Sequence, residues 1–127
     1  FLADLHVGVV SIGRQGKAPL TAPIWYDYEP GGKVWMIAGT SSLKAAALAD
    51  TYQISLVAQT EAPPYQYVSV SGSCSTRDVA EGELLAMAIR YLGEEQGQAY
   101  AAAAGGGGDF IVEFTPETWM TVDYSKM

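Results

Sequence analysis

Apolar and aromatic residues fall along the chain in short alternating runs, separated by Gly, Pro and Ser, which is the pattern of strands and tight turns. His6 to Ile12 reads as a strand, Gly13-Arg-Gln-Gly-Lys17 as a turn, and Pro19 opens the next strand. Leu20 to Tyr28 is rich in aromatic and aliphatic residues and reads as one strand. Glu29-Pro30-Gly31-Gly32 is turn chemistry, because Pro presets one φ angle and Gly allows positive φ. Lys33 to Ala38 then completes a hairpin with Leu20 to Tyr28. Ile54 to Ala58 is a short strand before the loop Gln59 to Pro64. Tyr65 to Ser75 is a long one, with Tyr65, Tyr67, Ser69 and Ser71 on one face and Gln66, Val68, Val70 and Gly72 on the other. Neither face is wholly polar, which predicts contacts on both sides. Phe110 to Phe114 and Thr118 to Tyr124 are two last strands around a Thr-Pro-Glu turn.

Helical spacing is rarer. Phe1 to Leu5 reads as the tail of a helix that begins before the sequence does, so a lost targeting segment stays open. Gly39 ends the hairpin, and Thr40, Ser41 and Ser42 offer capping hydroxyls to a helix over about Leu43 to Ala49. Glu81 to Leu92 carries apolar residues at Leu84, Leu85, Ala88, Ile89 and Leu92, one stripe of a helix that Gly93 breaks. Gln96 to Ala104 is a short alanine-rich helix stopped by Gly105 to Gly108. The result is a mainly β (α+β) fold: about seven strands, mostly antiparallel, closing into a small barrel with about three helices packed around it. The 127 residues fit a single domain, 1–127, with a real core.

Charge narrows the partners. The formal charge is −7 with only seven Lys and Arg and no basic run, which argues against nucleic acid and anionic membrane. No apolar run approaches the roughly 20 residues of a membrane helix. The single cysteine, Cys74, excludes an internal disulfide and fits a reducing, cytoplasmic compartment. With one His and one Cys, no metal site is expected.

Two stretches could carry chemistry. A helix N-terminus beside Thr40, Ser41, Ser42 and the ammonium of Lys44 suits a phosphate, although serine caps are also common without a ligand. Trp25 falls on one face of its strand and Tyr26 and Tyr28 on the other, with Trp35 nearby. Either all of these pack the core or an edge, or one face meets a partner or a flat ligand. The four glycines run from helix to strand, opposite to a nucleotide loop, and read as a flexible loop. His6 reads as a strand-edge residue, Glu94-Glu95 as a solvated helix end, and no Gly-x-Ser-x-Gly elbow supports a hydrolase.

The order of a Val-Gly-Val-Val strand, the Pro23-Ile24-Trp25-Tyr26 strand, the Val-Trp-Met-Ile-Ala-Gly strand and Ser42-Leu-Lys44 resembles the pyridoxamine 5′-phosphate oxidase-like split β-barrel family. More narrowly it is similar to the actinobacterial flavin/deazaflavin oxidoreductases. Ile54-Ser-Leu-Val, Tyr67-Val-Ser-Val-Ser-Gly72, Thr115-Pro-Glu and Trp119 to Tyr124 extend the likeness over nearly the whole chain. The resemblance implies a homodimer with cofactor clefts between two barrels. It implies a phosphate held by Gly39, Thr40, Ser41, Ser42 and Lys44, and a ring lying along Pro23, Ile24, Trp25 and Tyr26, partly on main-chain groups. It implies an oxidoreductase that uses the deazaflavin F420, or alternatively FMN, to pass hydride to or from a small unsaturated substrate; a non-catalytic protein that binds a flavin-type ligand is the further alternative. Arg and Asn, frequent in the family after the lysine, are here Ala46 and Ala47, which leaves Lys44 the only clear charge at the phosphate. Arg14, Lys17 and Lys33, on turns, are candidates for an anionic cofactor tail, and Tyr26, Tyr65 and Tyr67 for proton donors by residue type. Pocket walls are expected from Thr60 to Pro64 and Gly105 to Asp109.

Overall fold

The computed structural model of the chain describes residues 1–14, 16–38, 53–104 and 110–124. The expected helix over 43–49 and the four-glycine loop lie outside the described residues. Eight strands and two helices stand among those that are described: β1 (Gly8–Arg14), β2 (Lys17–Ile24), β3 (Asp27–Tyr28), β4 (Val34–Ala38), β5 (Gln53–Gln59), β6 (Gln66–Asp78), α1 (Glu83–Leu92), α2 (Glu94–Ala104), β7 (Phe110–Phe114) and β8 (Thr118–Asp123). No described helix is long and apolar enough to cross a membrane.

The strands form one sheet in the order β2-β1-β5-β6-β7-β4-β3, with β8 on β6, and every pairing is antiparallel. The two ends of this path, β2 and β3, are joined through only Trp25 and Tyr26, so the sheet curls back on itself around a core. Alternation builds that core. Val10 and Ile12, Ile54, Leu56 and Ala58, Val68 and Val70, Val34 and Met36, and Val112 and Phe114 all point inward and are buried. Such close-packed aliphatic side chains supply most of the drive to fold, about 1.5–3 kcal/mol for each one fully buried.

Four expectations need correction. Leu20 to Tyr28 is not one strand: it breaks at Trp25–Tyr26, β2 pairs with β1, and only Asp27 and Tyr28 pair with β4. That break makes eight strands rather than seven. Phe1 to Leu5 is a set of turns, with the Asp4 N–H donating to the Phe1 carbonyl at 3.0 Å, because Tyr26 and Arg90 take its carbonyls. Three helices become two among the described residues. Thr115-Pro-Glu is no hairpin turn, since β7 and β8 both run antiparallel along the same long partner, β6.

Between the pairs Cys74↔Phe114 and Ser71↔Thr118, two residues of β6 face three of the other chain segment, which is a bulge. Glu117 holds it: its N–H donates to the Ser71 carbonyl at 2.8 Å, and its Oε1 accepts from the Ser73 N–H at 3.0 Å. A Cβ on Gly72 would collide with the Thr115 carbonyl oxygen. The strand alternation continues through it only because that position has no side chain.

The helices follow β6. Arg77 of β6 forks onto Glu83 of α1 at 2.8 and 2.7 Å, and its Nε donates to Glu113 of β7 at 3.1 Å. This bidentate pair holds the Glu83 carboxyl below its ordinary range and fixes where α1 starts. The buried positions of α1 are Met87 and Ala88, while Leu85 of the expected stripe is exposed.

Substituting Gly72→Ala should destabilise the fold by about 2–3 kcal/mol, because the obstructing atom is main chain and cannot move aside. Urea unfolding of the two proteins measures this; a loss below about 1 kcal/mol would mean that the bulge relaxes freely.

Candidate functional site

The break at Trp25–Tyr26 is where the candidate site begins. A chain leaving one part of a sheet for another frees main-chain groups from the ladder, and these need partners when buried. Tyr26 is fully buried. Its N–H donates to the Tyr91 hydroxyl at 3.0 Å, and its carbonyl accepts from that hydroxyl at 2.9 Å and from Arg90 Nε at 3.0 Å. The Tyr91 hydroxyl also approaches the His6 carbonyl at 2.6 Å, so its one proton is shared between two acceptors. Arg90 reaches further, to the Ala3 and Asp4 carbonyls at 3.2 and 3.0 Å, with Asp27 at 3.6 Å. Arg90 and Tyr91, adjacent at the end of α1, therefore tie the chain start, the β2–β3 corner and the helix pair together.

The side chains at the corner divide as alternation requires. The Tyr26 ring enters the core against Gly8, where a Cβ would lie 2.9 Å from the ring, and its hydroxyl donates to the Leu2 carbonyl at 2.7 Å. Tyr28 is buried on the same face. Trp25 goes the other way and stacks on Tyr91 at 5.0 Å and 7°, with Tyr100 of α2 tilted at 5.5 Å. So one face of this segment packs the core, and the other meets the helices.

Tyr26 is thereby removed from the candidate proton donors. Burial, then the neighbouring Tyr91, pushes its hydroxyl well above the usual tyrosine range against the opposing pull of Arg90. Burial likewise raises Tyr91. Tyr65 is exposed and Tyr67 half-buried. Cys74 is buried, and its thiol is pushed up by that burial, so it is a poor nucleophile. Among the described residues no group of three His, Cys, Asp or Glu could hold a metal. The His6 imidazole precedes β1 and stacks on Phe1 at 4.4 Å, and its Nε2 is shielded with no partner among the described residues.

The outer face of the sheet lies beside the corner. Register places Pro23, Val9, Val57, Ser69 and Met120 in one outward row and Thr21, Ser11, Ser55, Ser71 and Thr118 in the next. Gln59, Tyr67 and Val122 extend it. No charged residue stands in these rows, although 17% of the chain is charged. Pro23, Val9 and Met120 are exposed there. β2 is the last strand of the sheet path, and its prolines suit an edge, where a missing N–H costs no ladder bond.

Two clefts open at the sheet end nearest the corner. One of about 620 Å³ is lined by Leu5, His6 and Val7 and by the expected loop wall Thr60 to Pro64. A smaller one of about 240 Å³ has Leu2, Tyr67 and Trp119 in its walls.

Of the expected cofactor residues, Pro23, Ile24, Trp25 and Tyr26 are contiguous at this edge. Gly39, Thr40, Ser41, Ser42 and Lys44 lie outside the described residues. The exposed edge and its uncharged face fit the flat, uncharged part of a tricyclic ring at Pro23 to Trp25. Tyr26 does not fit as a main-chain contact, because its N–H and carbonyl already have partners. The basic side chains that are described are Lys33, Arg77 and Arg90, and all are engaged: Lys33 with Glu113 at 3.5 Å, Arg77 with Glu83 and Glu113, Arg90 with carbonyls and Asp27. Sequence reasoning missed Arg90 and Tyr91, whose partners are 64 to 87 residues away and leave no local signature.

No family's sequence model matches the chain, and no curated protein matches it. Solved structures do. The conserved hypothetical protein Rv2991 of Mycobacterium tuberculosis superposes with a TM-score of 0.76 at 16% identity, over 99% of this chain and 82% of that one. An F420 reductase gives 0.72 at 16%, over 94% and 92%. A Listeria innocua protein assigned as a pyridoxamine 5′-phosphate oxidase gives 0.63 at 12%, over 93% and 89%. The chain therefore has the fold of the pyridoxamine 5′-phosphate oxidase-like proteins, as the resemblance implied.

Because both tyrosines at the corner titrate above their ordinary value, the unfolded chain holds fewer protons than the folded one in alkali. Stability present below about pH 10, the usual tyrosine value, should be lost progressively above it. Denaturant melts at pH 8 to 11 should show this fall. Tyr26→Phe should start about 1 kcal/mol lower, from the lost hydroxyl bond, and fall less steeply; an equally steep fall would acquit Tyr26.

Proposed function

We propose that this protein is a flavin-type oxidoreductase that uses F420 and works as a homodimer. The observation that carries this is the Pro23–Trp25 strand end, with Pro23 exposed at the sheet edge beside an uncharged face, in a fold shared with an F420 reductase. That one of the similar structures is an F420 reductase supports this cofactor, with FMN the alternative. In this reading, the ring rests along Pro23, Ile24 and Trp25, and a second copy covers the outer rows, excluding water from the ring. A face free of charge loses little hydration when covered, which favours a partner of the same kind.

The phosphate falls to Gly39, Thr40, Ser41, Ser42 and Lys44. Support comes from the resemblance and from the hydroxyls and lysine of that stretch; the described basic side chains already serve carboxylates and carbonyls, which leaves Lys44, with Arg14, Lys17 and Lys126, as a source of positive charge. When bound, the reduced cofactor supplies a hydride, and with it two electrons, to an electron-poor carbon of an enone, imine or quinone-like substrate. A proton to the adjacent atom completes the reduction. Tyr67, on the outer face and in the wall of the smaller cleft, is a donor within this scheme; solvent is the alternative source.

Titration of the purified protein with F420 and with FMN, read by fluorescence, tests the assignment. F420 should bind more tightly, and Lys44→Ala should weaken it about tenfold or more, as loss of a charge-assisted phosphate contact does. Binding of neither cofactor, or unaltered binding by the variant, would remove the phosphate site. Val57→Glu, on the outer face, should convert a dimer to a monomer in analytical ultracentrifugation and weaken cofactor binding with it. A wild-type monomer that binds F420 well would overturn the homodimer.

A further inference from the structure

The larger cleft is set against the corner by two independent features. Gly8 pairs with Ile24 at the end of β2, and Val7, the residue before Gly8, lines the cleft. The Tyr91 hydroxyl binds both the Tyr26 main chain and the carbonyl of His6, another lining residue. A molecule in this cleft would sit beside the end of the Pro23–Trp25 edge.

Its walls have a definite chemistry. Leu5, Val7, Ala62, Pro63 and Pro64 are apolar; Gln59, Thr60 and Gln66 are polar and neutral. Besides the His6 imidazole, the ionisable side chain in the lining is Glu61, and no lysine or arginine is among the lining residues. The loop that carries Glu61 is pinned at its ends: the Thr60 N–H donates to the Gln66 carbonyl at 3.0 Å, and the Gln66 N–H donates to the Thr60 hydroxyl at 2.9 Å. The net charge of −7 adds a field of the same sign as Glu61.

On the oxidoreductase reading, we infer that this cleft seats the substrate, and that it selects an uncharged, largely apolar reducible compound against one bearing a carboxylate, with Glu61 the discriminating residue. An anion entering here loses water and meets a carboxylate, and no lysine or arginine of the described lining offsets that. A neutral enone or quinone loses little and covers the apolar wall. The balance would be that of the parent reading: the bound reduced cofactor would supply two electrons as hydride to the substrate carbon, and the neighbouring atom would take a proton from solvent, since Tyr67 lies in the wall of the other cleft.

The test uses the full chain loaded with whichever cofactor it binds, and two probes, 2-cyclohexen-1-one and its ring-carboxylate analogue. Rates are followed by cofactor absorbance, and binding of each probe is followed separately by saturation-transfer NMR in the absence of reductant. Wild type should prefer the neutral probe in both measurements. Glu61→Lys should shift the neutral-to-carboxylate ratio toward the carboxylate by about three- to tenfold, less at high salt, as expected for a partly screened unit charge. Ala62→Trp, which narrows the cleft, should weaken binding of both. A ratio unmoved by Glu61→Lys, or binding unaltered by Ala62→Trp, overturns the inference. Selective binding without turnover by a cofactor-loaded protein would leave the cleft assignment standing and refute the oxidoreductase reading instead.

Discussion

The barrel-like sheet depends on how one buried peptide is satisfied. Between β2 and β3 the chain passes from one end of the sheet path to the other, and at Tyr26 it leaves the ladder while fully buried. An unpaired N–H or carbonyl there would cost about 1–3 kcal/mol each. The Tyr91 hydroxyl and the Arg90 guanidinium remove that cost, and both come from one turn of α1. Gly8 makes the room for the ring, and Leu2 takes its hydroxyl. The helix pair is thus part of the closure. Without α1 the corner would need water or another partner, and the two sheet ends would lose their registration.

The same closure places the candidate site. An edge strand is ordinarily the mobile part of a sheet, yet the C-terminal end of β2 is anchored by Trp25 on Tyr91 and by the bonds at Tyr26. A ligand lying along Pro23 to Trp25 would meet a surface already ordered, which lowers the entropy lost on binding. Geometry that a reaction needs is better carried by an anchored strand than by a loop. The cost falls on Tyr26: its phenol and main chain are consumed in holding the corner and are not offered to a ligand.

Much of this was legible from alternation alone. The inward residues of β1, β4, β5 and β6 follow the two-residue period, and the helix over 83–92 was legible from its spacing, that over 94–104 from its alanines and not from a stripe. What the pattern could not show was decided at a distance. Leu20 to Tyr28 contains Pro23 but no break at Trp25, and nothing local says that the Tyr26 peptide will bond to a tyrosine 65 residues later. Thr115-Pro-Glu has the composition of a turn; pairing of both flanks with one 13-residue strand makes it a bulge instead. The open question about Trp25 and Tyr26 was settled by which face the core took. Of the candidate site, the adjacency of Pro23 to Tyr26 follows from the chain itself, whereas the cleft was only half legible, since Leu5 to Val7 join the loop 60–64 through the fold.

Charge placement completes the picture. A strongly acidic chain would seem a poor host for an anionic cofactor, but what a ligand meets is the local field. Among the described residues, the carboxylates of Glu83 and Glu113 are neutralised by Arg77 and Lys33 on the β6–β7–β4 side of the sheet. The outward rows on the β1–β5–β6–β8 side hold none. The acidic excess is thus kept off the surface where a ring and a second copy would lie. Glu61 stands at the rim of that surface, on a loop rather than in the rows, where its charge acts on what enters the cleft more than on what lies along the edge. An acidic exterior and an uncharged working face are compatible because screening limits the reach of each exposed charge to about 8–10 Å at ordinary salt.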